Sequence, residues 1–344
     1  MVPVKTALCS FGMSGRVFHA PFLHQHPGFE LYSVWERRKD LAAAVYPSIR
    51  TCRSLEELLA DEAVELVIVN TPNYTHFEYA RQALSAGKHV VVEKPFALTV
   101  QEGAVLESLA RLSGKKLSVY QNRRYDSDYK TVKKILDEGW LGEVVEAEIH
   151  YDRYSTTLST KLHKEIPGPG TGLLYDLGSH LIDQALQLFG MPEAVFADLG
   201  IIRPISKVED YMELLLFYPG MRVRIKASYL VMEPLAAYIM HGTAGSFIKS
   251  RADPQEQQLL SGALPGGDNW GTEPDDQMGL LHTGTIRERI PSLKGDYKEY
   301  YDLLFDAIRK DQPVPVSPED GIKILRVIEA AYQSNREKST VTFA

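Results

Sequence analysis

Short, almost uninterrupted apolar runs punctuate the first third of the chain, and longer amphipathic stretches separate them. Leu66-Val67-Ile68-Val69 is the clearest run: it is too short for a helix, and Thr71-Pro72-Asn73 closes it as a turn. Thr6 to Phe11, Leu31 to Trp35, Val64 to Asn70, His89 to Glu93 and Leu117 to Tyr120 read as strands, while Thr75 to Ala86 and Val100 to Ser113 read as helices. Asn73 is placed to cap the first of these helices. Apolar strands alternating with helices predict an α/β domain whose parallel sheet is covered on both faces.

The pattern changes after about residue 122. A helix over Asp128 to Glu138 leads to an alternating strand, Val144 to Tyr151, and a helix over Tyr175 to Phe189 stops at Gly190 with Pro192 beyond. Strands then dominate: Ala194 to Ile202, Tyr211 to Phe217, Arg222 to Tyr229 and Ala236 to His241, two of them joined by Tyr218-Pro219-Gly220. Val223, Ile225, Ala227 and Tyr229 alternate with Arg222, Arg224, Lys226 and Ser228, which predicts an antiparallel sheet with one buried face and one solvated basic face. Asp253 to Gly284, rich in Gly, Pro, Gln and acids, reads as a long functional or mobile loop. The carboxyl-terminal helix has Ser317 as its cap, Pro318 in its first turn and a packing stripe of Ile322, Leu325, Ile328 and Tyr332.

With 344 residues the chain has room for two cores. A net charge of −7 disfavours a nucleic-acid or anionic-membrane partner. No apolar run approaches the roughly 20 residues of a membrane span. Val2 to Lys5 runs directly into the first strand, so no secretory signal is expected. Cys9 and Cys52 have neither metal nor redox spacing, and Cys9 reads as a buried hydrophobe. These features predict a cytoplasmic protein.

Three motifs carry candidate chemistry. The first strand runs into Phe11-Gly12-Met13-Ser14-Gly15 and then a helix from about Arg16, the place of a dinucleotide turn, where a helix amino terminus faces a pyrophosphate. Glu36 stands 21 positions after Gly15 and is followed by Arg37 and Arg38. An acid there chelates ribose hydroxyls, whereas arginine accepts a 2′-phosphate, so the pair of arginines tilts the expectation toward NADP over NAD. Second, Val90-Val91-Val92-Glu93-Lys94-Pro95 is a buried strand ending in lysine, at the sheet end where open α/β folds bind ligands. A partly desolvated ammonium there polarises a hydroxyl or carbonyl. Third, Asp176 and His180 lie four apart at the start of a helix approached by Gly168-Pro169-Gly170-Thr171-Gly172, a carboxylate–imidazole pair suited to gripping substrate and moving a proton. The other histidines do not complete a metal site, and His24 and His26 read as surface residues.

In this order the motifs resemble the glucose–fructose oxidoreductase / inositol dehydrogenase / MocA (Gfo/Idh/MocA) family across essentially the whole chain. The matching stretches are Gly12 to Phe22, Thr71 to His76, Ala86 to Pro95, Asn122-Arg123-Arg124-Tyr125-Asp126 and Tyr175 to Asp183. They look most like the branch of NADP-dependent scyllo-inositol dehydrogenases. The resemblance implies an NAD(P)-binding Rossmann domain over residues 1–121. It implies a substrate-binding and oligomerisation domain over 122–344 with an open, mostly antiparallel sheet, and a carboxyl-terminal helix able to pack back on the first domain. It also implies a homodimer or homotetramer built through that sheet.

By motif, Lys94 holds the reacting hydroxyl and is joined to Pro95 by a cis bond, Asp176 orients the substrate, and His180 exchanges the proton. Thr71, Pro72, Asn73 and His76 line the cofactor, with Glu93 and Asn122 near its ribose and nicotinamide. Tyr154 and His163 join the substrate set. Two departures stand out: Ser10 replaces the first glycine of the turn, and Lys161-Leu162-His163-Lys164 falls where related inositol dehydrogenases carry an arginine- and tryptophan-containing stretch. The expected activity is hydride transfer between NAD(P) and a secondary alcohol of a polyol or sugar. The rivals are an NAD-dependent glycosidase working by transient oxidation and a non-catalytic dinucleotide or sugar sensor.

Overall fold

Six parallel strands make the first sheet: β1 (Val4–Leu8), β2 (Phe29–Trp35), β3 (Arg50–Cys52), β4 (Leu66–Val69), β5 (His89–Glu93) and β6 (Leu117–Tyr120). The computed structural model describes residues 2–159 and 164–343. The strand order β3-β2-β1-β4-β5-β6 reverses direction between β1 and β4, which opens a ligand crevice at their carboxyl ends. The central strands are apolar and enclosed on both faces, as their composition predicts: Leu66, Val67, Ile68 and Val69 are all fully buried, as are Val90, Val91 and Val92. The first strand lies earlier than the expected Thr6 to Phe11. Val4 pairs with Phe29, and the run ends at Leu8 because Asn70 takes over the main chain of Ser10.

This unit gathers residues up to Asn122 with Gln255–Trp270 and Tyr297–Ile322. The last stretch carries the helix Lys298–Lys310, whose Tyr300 and Tyr301 are fully buried beside Tyr120. His26 is buried, contrary to its reading as a surface residue. Its Nε2 lies 2.9 Å from Asp302 and its Nδ1 accepts from the Gly28 amide, a pairing formed only in the tertiary structure. The expected cap at Asn73 does not form either. Asn73–Thr75 makes a 3₁₀ turn, and the helix His76–Ser85 starts after Thr75 without a side-chain cap.

His89 gives this unit a pH dependence. Its Nδ1 accepts the Lys116 amide at 2.9 Å, and burial, aided by the Lys115 charge, pushes its pKa down to about 4. The folded value lies below the unfolded one of about 6.5. Its contribution is therefore whole above about pH 6.5 and is lost as pH falls toward about 4. His89→Gln should flatten the loss of melting temperature across that window; an unaltered slope would remove His89 as its source.

The second unit comprises Arg123–Pro254, Gly271–Asp296 and the chain from Lys323. Its nine strands are β7 (Val144–His150), β8 (Ala194–Gly200), β9 (Tyr211–Tyr218), β10 (Met221–Ser228), β11 (Tyr238–Gly242), β12 (Gly245–Lys249), β13 (Gly279–Thr283), β14 (Arg287–Ile290) and β15 (Val341–Thr342). They are ordered β14-β13-β12-β11-β7-β10-β9-β8-β15, and every pairing but β7–β10 is antiparallel. Pro219-Gly220 turns β9 into β10 as expected, with Gly220 at φ +69°. Val223, Ile225 and Ala227 are buried under the helices Ser127–Asp137 and Ser179–Phe189. On the other face Arg224 pairs with Glu148 and Glu213, at 2.5 and 3.1 Å.

The expected loop over Asp253 to Gly284 holds a helix (Gln255–Leu260), a 3₁₀ turn (Asp275–Gln277) and β13. Two of its residues, Gln255 and Gly279, serve packing rather than solvent. Gln255 is buried and accepts the Tyr297 amide at 2.7 Å, and a Cβ on Gly279 would lie 2.2 Å from the Phe247 ring.

Candidate functional site

In the first unit, the carboxyl ends of β1, β2 and β4 border a groove of about 710 Å³. Phe11, Gly12, Arg37, Arg38, Thr71 and Pro72, all expected from the sequence, come together on its walls. Asn70 fixes the turn: its side chain accepts the Ser10 amide at 3.0 Å and donates to the Ser10 carbonyl at 2.9 Å. The Ser10 hydroxyl donates to the Asn70 carbonyl at 3.0 Å, so serine in place of glycine adds a tie between β1 and β4. A Cβ on Gly15 would sit 2.3 Å from the Ser10 carbonyl, so only glycine lets the following helical segment approach the strand this closely. The helical run continues through 13–25 and includes a π turn, Gly15–His19.

Glu36 does not face the groove as a free acid. It is buried, and its two carboxylate oxygens accept the Leu41 and Ala42 amides at 3.2 and 2.9 Å, capping the helix Leu41–Val45. Arg53 braces the same turn by donating to the Glu36 and Lys39 carbonyls. Arg37 stacks 5.5 Å from the Trp35 ring, and Arg37, Arg38 and Lys39 form a basic lip. A groove with a glycine turn and this lip fits a dinucleotide bearing an additional phosphate.

Glu93 ends β5. Its carboxylate accepts the Ser14 hydroxyl, the His19 ring at 3.0 Å and the Lys94 amide at 3.3 Å. Burial opposes its charge, but the bonds from His19 and Ser14 and the nearby Lys94 charge hold the pKa down to about 2. Lys94 follows in partly buried surroundings, and the Lys94–Pro95 peptide bond is cis, as expected. His76 is buried between the Thr71 and Pro95 carbonyls, and burial pushes its pKa down against their pull. Met13 is partly buried at the start of the helical run, and Asn122 is buried in the 3₁₀ turn Asn122–Tyr125.

In the second unit Asp176 lies in a π turn, Leu174–Gly178, with His180 in the helix that follows. His180 is buried. Asp176 accepts the Lys164 ammonium at 2.5 Å, a partner that sequence reasoning did not single out. Both line a cavity of about 250 Å³ that also takes in Arg153, Arg203 and Tyr229. Burial, then the Asp176 charge, push the Tyr229 phenol up to about 12. Arg203 is held by Asp210 and Glu165 at 2.8 and 3.2 Å and by the Thr157 carbonyl. Tyr154 is exposed and forms an isolated bridge to Leu230. His163 lies outside the described residues. Among the described residues no group of three or more His, Cys, Asp or Glu is placed to hold a metal ion, and no helix is long and apolar enough to cross a membrane.

Comparison with known proteins agrees with this organisation. Residues 4–121 match the family model described as oxidoreductase family, NAD-binding Rossmann fold, and residues 133–343 match its C-terminal alpha/beta domain. The scyllo-inositol 2-dehydrogenase (NADP(+)) of Bacillus subtilis is 39% identical over 342 residues, covering 98% of this chain and 95% of that protein. Glucose-6-phosphate 3-dehydrogenase of the same organism is 30% identical over 176 residues, half of each chain. A crystal structure from Bacteroides fragilis is 46% identical with a TM-score of 0.91, covering 99% of this chain and 100% of that one. With both domains matched end to end, the chain belongs to the Gfo/Idh/MocA family of oxidoreductases.

Proposed function

We propose that this oxidoreductase is an NADP(H)-dependent dehydrogenase that reversibly oxidises one secondary alcohol of a cyclitol or sugar, of the scyllo-inositol type. The observation that carries the cofactor choice is Glu36. In an NAD-selective site this acid chelates the ribose hydroxyls; here its two oxygens each accept a backbone amide, from Leu41 and Ala42, and Arg37 and Arg38 line the groove beside it. The NADP(+)-dependent relative supports the same choice, and the two named dehydrogenases support a polyol or sugar substrate.

The nicotinamide, when bound, takes or gives the hydride. In this reading Lys94 bears the oxygen charge that develops on the alcohol, Asp176 orients the substrate hydroxyls and His180 takes the hydroxyl proton. Lys164 keeps the Asp176 carboxylate in place. Phe11, Gly12, Met13, Ser14 and Gly15 serve the pyrophosphate, and Thr71, Pro72, Asn73, His76, Glu93 and Asn122 the nicotinamide side. Two buried, unpaired cysteines suit a reducing cytoplasm. Self-association through the solvent face of the second sheet belongs to the same reading, and sedimentation equilibrium tests it.

A panel of inositols and aldoses, with NADP and NAD supplied separately, tests the proposal by nicotinamide absorbance. Net NADPH should form with a cyclitol or sugar, at a kcat/KM at least ~10-fold above that for NAD. Arg38→Ala should remove about 10-fold of that preference, the worth of a charge-assisted bond to phosphate. Equal use of both cofactors by the parent enzyme would refute the NADP assignment, and no net reduction with any polyol would refute the dehydrogenase.

A further inference from the structure

The loop before β9 meets the start of the segment that carries Asp176. The Glu209 carbonyl accepts the Leu173 amide at 2.9 Å, and the Gly172 carbonyl accepts the Asp176 amide at 3.1 Å. Gly172 has φ +97°, and a Cβ there would collide with the Glu209 carboxylate. Only glycine therefore lets that carboxylate lie against the chain at this point. Burial pushes the Glu209 pKa up, while the Tyr332 hydroxyl and the Glu209 and Leu174 amides pull it back. The carboxylate thus faces the open amide end of the helical run that begins at Leu174.

Tyr332 holds the same carboxylate from another direction. It lies on the carboxyl-terminal helix Pro318–Glu337, where the sequence marks it only as part of a packing stripe. Its hydroxyl donates to Glu209 at 2.5 Å, and its ring lies 5.8 Å from that of Tyr175, the neighbour of Asp176. Glu209 borders the cavity of about 250 Å³ that Gly172 and Asp176 also line. Tyr332 borders a groove of about 520 Å³ lined by the Gly168-Pro169-Gly170-Thr171 approach. An effect of the Tyr332 hydroxyl on a ligand at Asp176 therefore has to travel through Glu209.

We propose that Glu209 is a positioning residue for Asp176, kept in place by the Tyr332 hydroxyl. Tyr332 fixes the carboxylate, the carboxylate fixes Gly172 and the amides that follow it, and Gly172 starts the turn that presents Asp176. Lys164 secures Asp176 at its tip, so its backbone and its side chain are held by different partners. What this does for substrate rests on the dehydrogenase reading; the clamp on the turn does not.

Hydrogen–deuterium exchange tests the clamp without a substrate. In Tyr332→Phe, which keeps the ring, the amides of residues 173–178 should exchange at least ~5-fold faster, with β7 and β10 unchanged. Kinetics test the positioning. For the polyol, kcat/KM should fall at least ~10-fold in Tyr332→Phe and in Glu209→Ala, with NADPH affinity within about twofold of the parent. Glu209→Gln keeps an oxygen for the Tyr332 hydroxyl and should lose less than about threefold. Parent exchange rates at residues 173–178 in Tyr332→Phe overturn the clamp, as does an acceleration spread evenly over the second unit. Parent kcat/KM alongside faster exchange overturns the positioning role. A larger loss in Glu209→Gln overturns it too, because the charge itself would then act on the substrate. Should Glu209→Ala not fold, Tyr332→Phe and Glu209→Gln decide both points. An enzyme inactive on every polyol would sink the dehydrogenase reading and leave the exchange result to decide the clamp.

Discussion

Lys94→Ala should lower kcat by at least tenfold while changing NADPH affinity less than threefold. The size follows from what the ammonium is asked to do. Removing one preorganised donor from a developing oxyanion costs about 2.7–4 kcal/mol, or a factor of roughly 10² to 10³ in rate. The surroundings of Lys94 fit such a donor. Val90, Val91 and Val92 are fully buried, the strand is hydrogen-bonded on both sides, and Glu93 is tied to Ser14 and His19, so the residue that follows has a fixed origin. Cofactor affinity should survive because the groove walls come from Phe11, Gly12, Arg37, Arg38, Thr71 and Pro72. Stopped-flow turnover beside a fluorescence titration separates the two effects. Wild-type kcat in this variant would remove Lys94 from the chemistry, and a parallel collapse of NADPH binding would make it a cofactor contact instead.

The largest stability effect should come from Lys249→Met. Lys249 is 0% exposed, on the core face of β12, and its ammonium donates to Glu273 at 2.6 Å and to the Gln277 carbonyl at 2.8 Å. Glu273 is itself 1% exposed and accepts the Ser127 and Ser292 hydroxyls at 2.5 and 2.8 Å. Methionine fills the volume of the lysine stem but leaves a carboxylate buried with only hydroxyl partners. Breaking such a pair costs about 3–5 kcal/mol. Replacing both partners, Lys249→Met with Glu273→Leu, removes the stranded charge and should recover more than half of the loss. Guanidinium unfolding of the parent and the two variants measures this. A single variant within about 1 kcal/mol of the parent would show that water reaches the site.

Much of the first sheet can be read from the chain because its strands are buried on both faces. Leu66 to Val69 and His89 to Glu93 are apolar runs that no solvent-facing position interrupts. The three-residue β3 and the polar β14, Arg287–Ile290, carry no such signal, since one is too brief for periodicity and the other is mostly exposed. Candidate chemistry was legible where it lay in contiguous motifs: the glycine turn, the Glu-Lys-Pro strand end and the Asp-x-x-x-His helix. It was illegible where a role depends on a remote partner. Glu36 stood as one acid beside two arginines, and its bonds to the Leu41 and Ala42 amides form only when the chain turns back. Lys164 stood out only as part of a departure from the family pattern and not as the partner of Asp176, and Asn70 looked like the end of a strand.

The first unit is stitched from three lengths of chain, and its interior aromatic cluster draws Tyr120 from the first and Tyr300 and Tyr301 from the third. A gene fragment that stops at Asn122 would encode all six strands yet leave His19 without its phenolic neighbour and Ser118 without the Tyr300 hydroxyl. The nucleotide half is therefore not a detachable cassette. Chimaeras between relatives have to exchange all three lengths together, and single crossovers at the apparent boundary should yield insoluble protein.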